Sequence, residues 1–175
     1  IIGAGYVLSG LAMYWWLKSR FQNLPAFVGT IFFLWTPFRF LDIYVRGALA
    51  ESFTYMFLPL ILLGIDQVFL AKKNVNWWWL LLAVSTIGML LGHNVVSAMF
   101  LPVAVLWTGV LFWTTKKKKA VILVFFGLAL AFMASSFIYL PDLFESGFIR
   151  FDKGISYWQD PFVYMQQFCR SKWDF

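Results

Sequence analysis

Apolar residues run along this chain in long blocks, interrupted at short intervals by a few charged or turn-forming positions. Blocks of this length read as membrane spans, because about 20 apolar residues at 1.5 Å rise cross the roughly 30 Å hydrocarbon core of a bilayer. Six segments are predicted to span or nearly span: residues 1–17, 24–38, 48–70, 77–92, 94–114 and 120–140. The fourth and fifth cannot be one helix, since residues 77–113 would run about 55 Å. The chain is expected to reverse at Gly92-His93-Asn94, where glycine permits a turn. Pro59 and Pro102 lie inside spans and are expected to bend them, because each lacks a backbone donor and crowds the preceding turn. The predicted fold class is an all-α polytopic membrane helix bundle of about six transmembrane or near-spanning helices, forming one domain over residues 1–140. Residues 141–175 are more polar yet hold ten Phe, Tyr or Trp residues, and they read as the start of an extracytoplasmic segment with pieces lying on the membrane surface.

Composition agrees with this reading. Hydrophobic residues make up 62% of the chain and charged residues 13%, about half the charged fraction of a soluble domain. The chain starts at Ile1 and is apolar at once, with no basic leader or small-residue cleavage site, so it is expected to begin inside a longer protein. One cysteine, Cys169, makes no intramolecular disulfide, and one histidine, His93, builds no multi-imidazole zinc site; no metal or cofactor is expected. The net charge of +6 does not point to nucleic acid, because the basic residues sit in short loops beside spans. Lys18 and Arg20, Lys72 and Lys73, and the lysines at 116–119 fall in alternate loops, and the positive-inside rule makes that side cytoplasmic. The other side receives residues 39–51, the His93-Asn94 turn, the tail and seven of the eight acidic residues. Trp77, Trp78 and Trp79 are expected to anchor at the interface, with membrane lipids as their partners.

The chemistry concentrates in LDIYVRGALAE at residues 41–51. A charge near the middle of a bilayer costs roughly 2.5–3.5 kcal/mol, so Asp42, Arg46 and Glu51 need a partner, cavity or ligand. If residues 38–47 are helical, Arg39, Asp42 and Arg46 share a face and Asp42 pairs with Arg46 at i, i+4. Glu51 lies about 140° further round an ideal helix, so only Gly47 or a local unwinding brings it to the same place. This cluster reads either as a buried ion pair that fixes packing, or as an anion site in which the arginine fork holds a phosphate beside a carboxylate. His93 and Asn94, at the same side, read either as ordinary turn residues or as further contacts to a phosphate oxygen or sugar hydroxyl. Asp66 near the other end of its span is expected to reach the interface or meet Lys72 or Lys73. Tyr157, Trp158, Phe162 and Tyr164 in the tail suit either sugar stacking or a headgroup surface.

The order of LDIYVRGALAE, an apolar segment with an internal proline, LLGHNVVSAMFLP and YLPDLFESGF resembles the bacterial and archaeal 6-pyruvoyl-tetrahydropterin-synthase-related membrane domain family. The likeness covers roughly residues 3–150, and its most specific elements are Arg46-Gly47 with Glu51 and His93-Asn94. That family is similar in organisation to the GT-C glycosyltransferases, which use polyprenyl-phosphate-linked sugars on the extracytoplasmic face. The resemblance implies a prokaryotic plasma-membrane enzyme fragment in which Arg46, with Arg39, His93 and Asn94, holds the phosphate of a polyprenyl-phosphate sugar donor. Glu51 or Asp42 would then serve as base or sugar contact. Soluble pterin synthases hold zinc through several histidines, so His93 alone excludes that activity. GT-C enzymes place a catalytic aspartate in the first external loop, which is expected to precede Ile1. The alternatives are a transporter or flippase for a lipid-linked or anionic solute, and a non-catalytic membrane subunit in which Asp42 and Arg46 lock helices.

Overall fold

The computed structural model describes residues 2–70 and 75–145, and every described element is helical. Helices α1 (Ile2–Lys18) and α2 (Asn23–Leu34) are followed by the short α3 (Pro37–Phe40), which runs into a π-helical turn, Leu41–Val45. After Gly47 come α4 (Leu49–Thr54), α5 (Phe57–Leu70), α6 (Val75–Gly92), α7 (Asn94–Thr115) and α8 (Lys118–Glu145). Four stretches are long and apolar enough to cross a membrane: Leu49–Leu70, Val75–Gly92, Asn94–Thr115 and Lys118–Pro141. Asn23–Leu34 and Pro37–Val45, bent by 45°, make a fifth if counted as one broken span. The chain divides into two compact units, residues 1–137 and 138–175. Helix α8 continues past residue 140 to Glu145; the tail aromatics Tyr157, Trp158, Phe162 and Tyr164, like Lys72 and Lys73, lie outside the described residues.

The breaks have local causes. Pro37 opens α3 at a first-turn position, where a missing N–H costs nothing. Pro59 has no N–H for the Tyr55 carbonyl four residues back, and the helix is interrupted at Tyr55-Met56, so α4 and α5 are separate. Pro102, by contrast, is accommodated inside α7. The break between α6 and α7 is one residue long: His93 is extended (φ −161°, ψ 117°) and caps α7 by accepting the Val96 N–H on Nδ1 at 3.3 Å. Lys116 closes α7 in a left-handed conformation (φ 56°), and its N–H bonds the Phe112 carbonyl.

Helix α5 lies at the centre of the first unit and is apolar nearly all round, as an enclosed helix must be. Its Ile61, Ile65 and Phe69 form the core with Leu82 and Met89 of α6, Ala104 and Leu111 of α7 and Val124 of α8. Gly64 lets α5 and α6 approach closely, for a Cβ there would stand 2.9 Å from Leu82 Cβ and 3.0 Å from Leu82 Cα. Side chains on the outside are also large and apolar, among them Phe32, Leu106, Trp113 and Ile122. A surface of that kind suits acyl chains rather than water. Trp77 is exposed, and Trp79 also joins two helices. It stacks on Phe126 at 5.8 Å and donates to the Leu123 carbonyl at 2.9 Å, joining α6 to α8.

Side-chain pairings fix the helix directions. Gly64 faces Leu82 and Gly92 faces Thr54, so α6 runs antiparallel to α5. Tyr55 meets Phe100 and Asp66 meets Trp107, so α7 runs parallel to α5; Phe53 over Gly5 and Asp66 on Trp16 give α1 the same direction. Leu34 over Gly10 and Leu17 over Gly29 turn α2 the opposite way. One end of the bundle therefore gathers Lys18, Arg20, Leu70 and the lysines at 116–119. The other gathers residues 36–51 with the His93-Asn94 break.

Candidate functional site

The candidate site lies at the end without lysines and is built by the irregular stretch from α3 to α4. The π-helical turn puts five residues where an α-helix would need fewer, with the Arg46 N–H bonded to the Leu41 carbonyl at 3.0 Å. Gly47 then takes φ +62°, a left-handed conformation natural to glycine, and α4 begins at Leu49. A straight helix allows the Asp42–Arg46 pair but not Glu51; here Arg46 Nη1 lies 2.6 Å from Asp42 Oδ1 and also 3.1 Å from Glu51 Oε2. Asp42 is fully buried and Glu51 nearly so, while the Arg46 side chain is 47% exposed. Tyr55 donates its hydroxyl to Glu51 Oε1 at 3.1 Å.

Arg39 belongs to a different arrangement. Only 4% of it is exposed, and its Nη2 donates to Ser9 Oγ of α1 at 2.8 Å. Three rings surround the guanidinium: Tyr6 and Phe33 at 4.8 Å and Tyr55 at 5.4 Å. Such rings stabilise the cation through their quadrupoles but accept no directed hydrogen bonds of ordinary strength. Arg39 Nε and Nη1 are buried without a hydrogen-bond partner among the described residues, as are Asp42 Oδ2 and Ser52 Oγ; Glu51 Oε2 is ion-paired with Arg46 Nη1 but makes no hydrogen bond of ordinary geometry. Arg39, Glu51 and Tyr55 line one cavity of about 410 Å³, whose remaining walls are mostly apolar and include Leu58, Met99 and Phe100. Buried donors left unsatisfied cost about 1–3 kcal/mol each, so their retention at the edge of a cavity is a functional signal.

The expected shared face of Arg39, Asp42 and Arg46 is thus divided. Asp42, Arg46 and Glu51 come together as an ion cluster, and Arg39 turns toward α1 and the cavity. His93 and Asn94 do stand at this end, since Gly92 abuts Thr54. They do not line the cavity: Val96, Met99 and Phe100 represent α7 there, and His93 uses Nδ1 to cap its own helix. The expectation for Asp66 is also corrected. It is fully buried and bound by Arg20 through Nε and Nη2, with the indole N–H groups of Trp16 and Trp107 donating at 2.9 and 2.7 Å. This clamp ties α1, α5 and α7 together at the lysine end, and its carboxylate has no vacant lone pair for a ligand. Among the described residues no group of three His, Cys, Asp or Glu side chains is placed to hold a metal ion.

Ser9, Ser52 and Tyr55 escaped the sequence reading. Each was visible only as an isolated polar group in an apolar segment, a weak signal because a single serine or tyrosine is tolerated in any span. Tyr6, in the first segment, became relevant through its ring alone.

Fold and site together define an all-helical protein with at least four helices fit to cross a membrane and a buried arginine-carboxylate site at one end of the bundle. Comparison with protein-family models, with curated proteins and with solved structures finds no match to this chain.

Proposed function

We propose that this chain is part of a GT-C-like membrane glycosyltransferase, akin to the 6-pyruvoyl-tetrahydropterin-synthase-related membrane domain family, that takes a polyprenyl-phosphate-linked sugar. One observation carries the reading: a buried arginine with two unpaired donors borders an apolar cavity that also holds a carboxylate. A lipid phosphate supplies both things this cavity lacks, anionic acceptors for Arg39 and an apolar tail for the walls. Arg39 rather than Arg46 is the phosphate-binding group, because Arg46 is already engaged by two carboxylates. In the reaction the sugar C1–O bond to phosphate breaks, and the leaving phosphate keeps the electron pair beside the Arg39 guanidinium. The acceptor hydroxyl oxygen bonds C1 and its proton passes to Glu51. Tyr55 orients Glu51, and Arg46 holds Asp42 and Glu51 in place. The positive-inside rule assigns the lysine end to the cytoplasm and this site to the extracytoplasmic face.

The test is release of polyprenyl phosphate from a radiolabelled donor by the full-length protein. Arg39→Met, which keeps the bulk and drops the unpaired donors, is expected to retain the wild-type melting temperature within a few degrees and to lose at least 100-fold in turnover, about 2.7 kcal/mol of transition-state stabilisation. Undiminished release by that variant would remove the proposed role.

A transporter or flippase is the second reading, favoured by the 45° break between Asn23–Leu34 and Pro37–Val45, since broken helices line many transport sites. In proteoliposomes, intact donor moved across the bilayer without released polyprenyl phosphate would select it.

A further inference from the structure

Away from that site, between α1, α5 and α6, lies an open groove of about 900 Å³. We propose that it binds an anionic glycerophospholipid, with an acyl chain in the groove and the phosphate at Lys18. The groove is polarised along its length. Its deep end is walled by Leu60, Leu63 and Val84, while Lys18, Ser19 and Gln67 all stand at the lysine end. From Leu60 to Gln67 is seven residues of helix, about 10 Å, enough to take the upper part of an acyl chain before the headgroup is reached.

Charge selects the class of lipid. Among the described residues Lys18 is the one charged residue lining the groove, and no acidic side chain among them lines it. Asp66, on the neighbouring turn of α5, is neutralised by Arg20. Lys18 itself has no carboxylate partner among the described residues; its Nζ lies 5.6 Å from the Tyr14 ring centroid. A cation in this state beside an apolar channel complements a phosphate ester carrying a net negative charge, while a zwitterionic headgroup brings its own cation to the same spot. Trp77 and Trp78, near the lysine end of α6, also line the groove, and indoles favour the headgroup region. Walls this apolar exclude free inorganic phosphate as the natural occupant.

Native mass spectrometry of the full chain in detergent, titrated with phosphatidylglycerol and separately with phosphatidylcholine, tests the assignment. One phosphatidylglycerol is expected to be retained in preference to phosphatidylcholine. Lys18→Ala should weaken that retention about fivefold, and Lys18→Arg should restore it. Val84→Trp alters an exposed wall position and should displace the lipid without unfolding the bundle. Equal retention of the two lipids, or an unchanged Lys18→Ala, overturns the proposal. So does loss of the bound lipid in Lys118→Ala/Lys119→Ala alone, which would move the site to the other lysine turn. A dimer that Val84→Trp splits, with no lipid bound in either form, would make the groove a helix-helix interface instead.

Discussion

Two arginines seven residues apart perform opposite tasks. Arg46 is committed to two carboxylates: its Nη1 reaches across Gly47 to Asp42 and Glu51 at 2.6 and 3.1 Å. Removing it leaves two carboxylates with no cation, one of them completely buried. Arg46→Ala should therefore unfold more easily, by roughly 2–3 kcal/mol given that the arginine side chain is half exposed. Chemical denaturation in detergent micelles would read this, and a variant as stable as the parent would show that the cluster holds nothing together. Arg39 is under-used, so its loss should tell on binding and chemistry instead of stability. From sequence Arg46 was the leading phosphate group and Arg39 its companion on one predicted face; that Arg39 turns away depends on Ser9 of α1, thirty residues earlier in the chain.

Among the elements, the stretch from α3 to α4 was legible in part. Asp42 and Arg46 pair at i, i+4 as their spacing suggested, and Gly47 provides the turn needed to deliver Glu51. The π-helical turn was not legible, since nothing in LDIYV distinguishes it from an α-helical turn. His93 was read either as a turn residue or as a substrate contact, and its position at a helix reversal is as expected: the imidazole accepts the Val96 N–H and starts α7, as the turn reading requires. Capping makes a specific demand: any short acceptor should serve. His93→Ser is expected to keep both stability and turnover, and His93→Ala to lose about 1 kcal/mol of stability. Loss of turnover in a stable His93→Ser protein would return the residue to the substrate site.

For the described residues, helix pairing puts Lys18, Arg20 and the lysines at 116–119 at one end and residues 39–51 with His93 at the other, as the alternation of their loops predicts. Sidedness in the membrane follows from the proposed topology and can be read chemically. In a Cys169→Ser background, a cysteine at exposed Thr36 should react with a membrane-impermeant maleimide added to intact cells, and one at exposed Lys119 should react only after permeabilisation. The reverse pattern would invert the orientation and place the arginine site in the cytoplasm. The six predicted segments are helical among the described residues; four stretches there are long and apolar enough to cross a membrane, and α2 breaks ahead of Pro37 so that it counts as a span only together with Pro37–Val45.

Local rules acted on the sequence alone: apolar block length set where helices form, proline and glycine set where they stop, and charge spacing set one ion pair. These depend on residues within a few positions of each other, so no partner helix is needed to read them. The tertiary structure alone decided that Asp66 meets Arg20 and two indoles, that Arg39 enters a cage of rings with two donors unpaired, and that a cavity opens beside it. Such contacts join residues some 30 to 50 positions apart. Helix direction, close approach at Gly64 and side-chain rotamers select among many pairings that the one-dimensional pattern leaves equal.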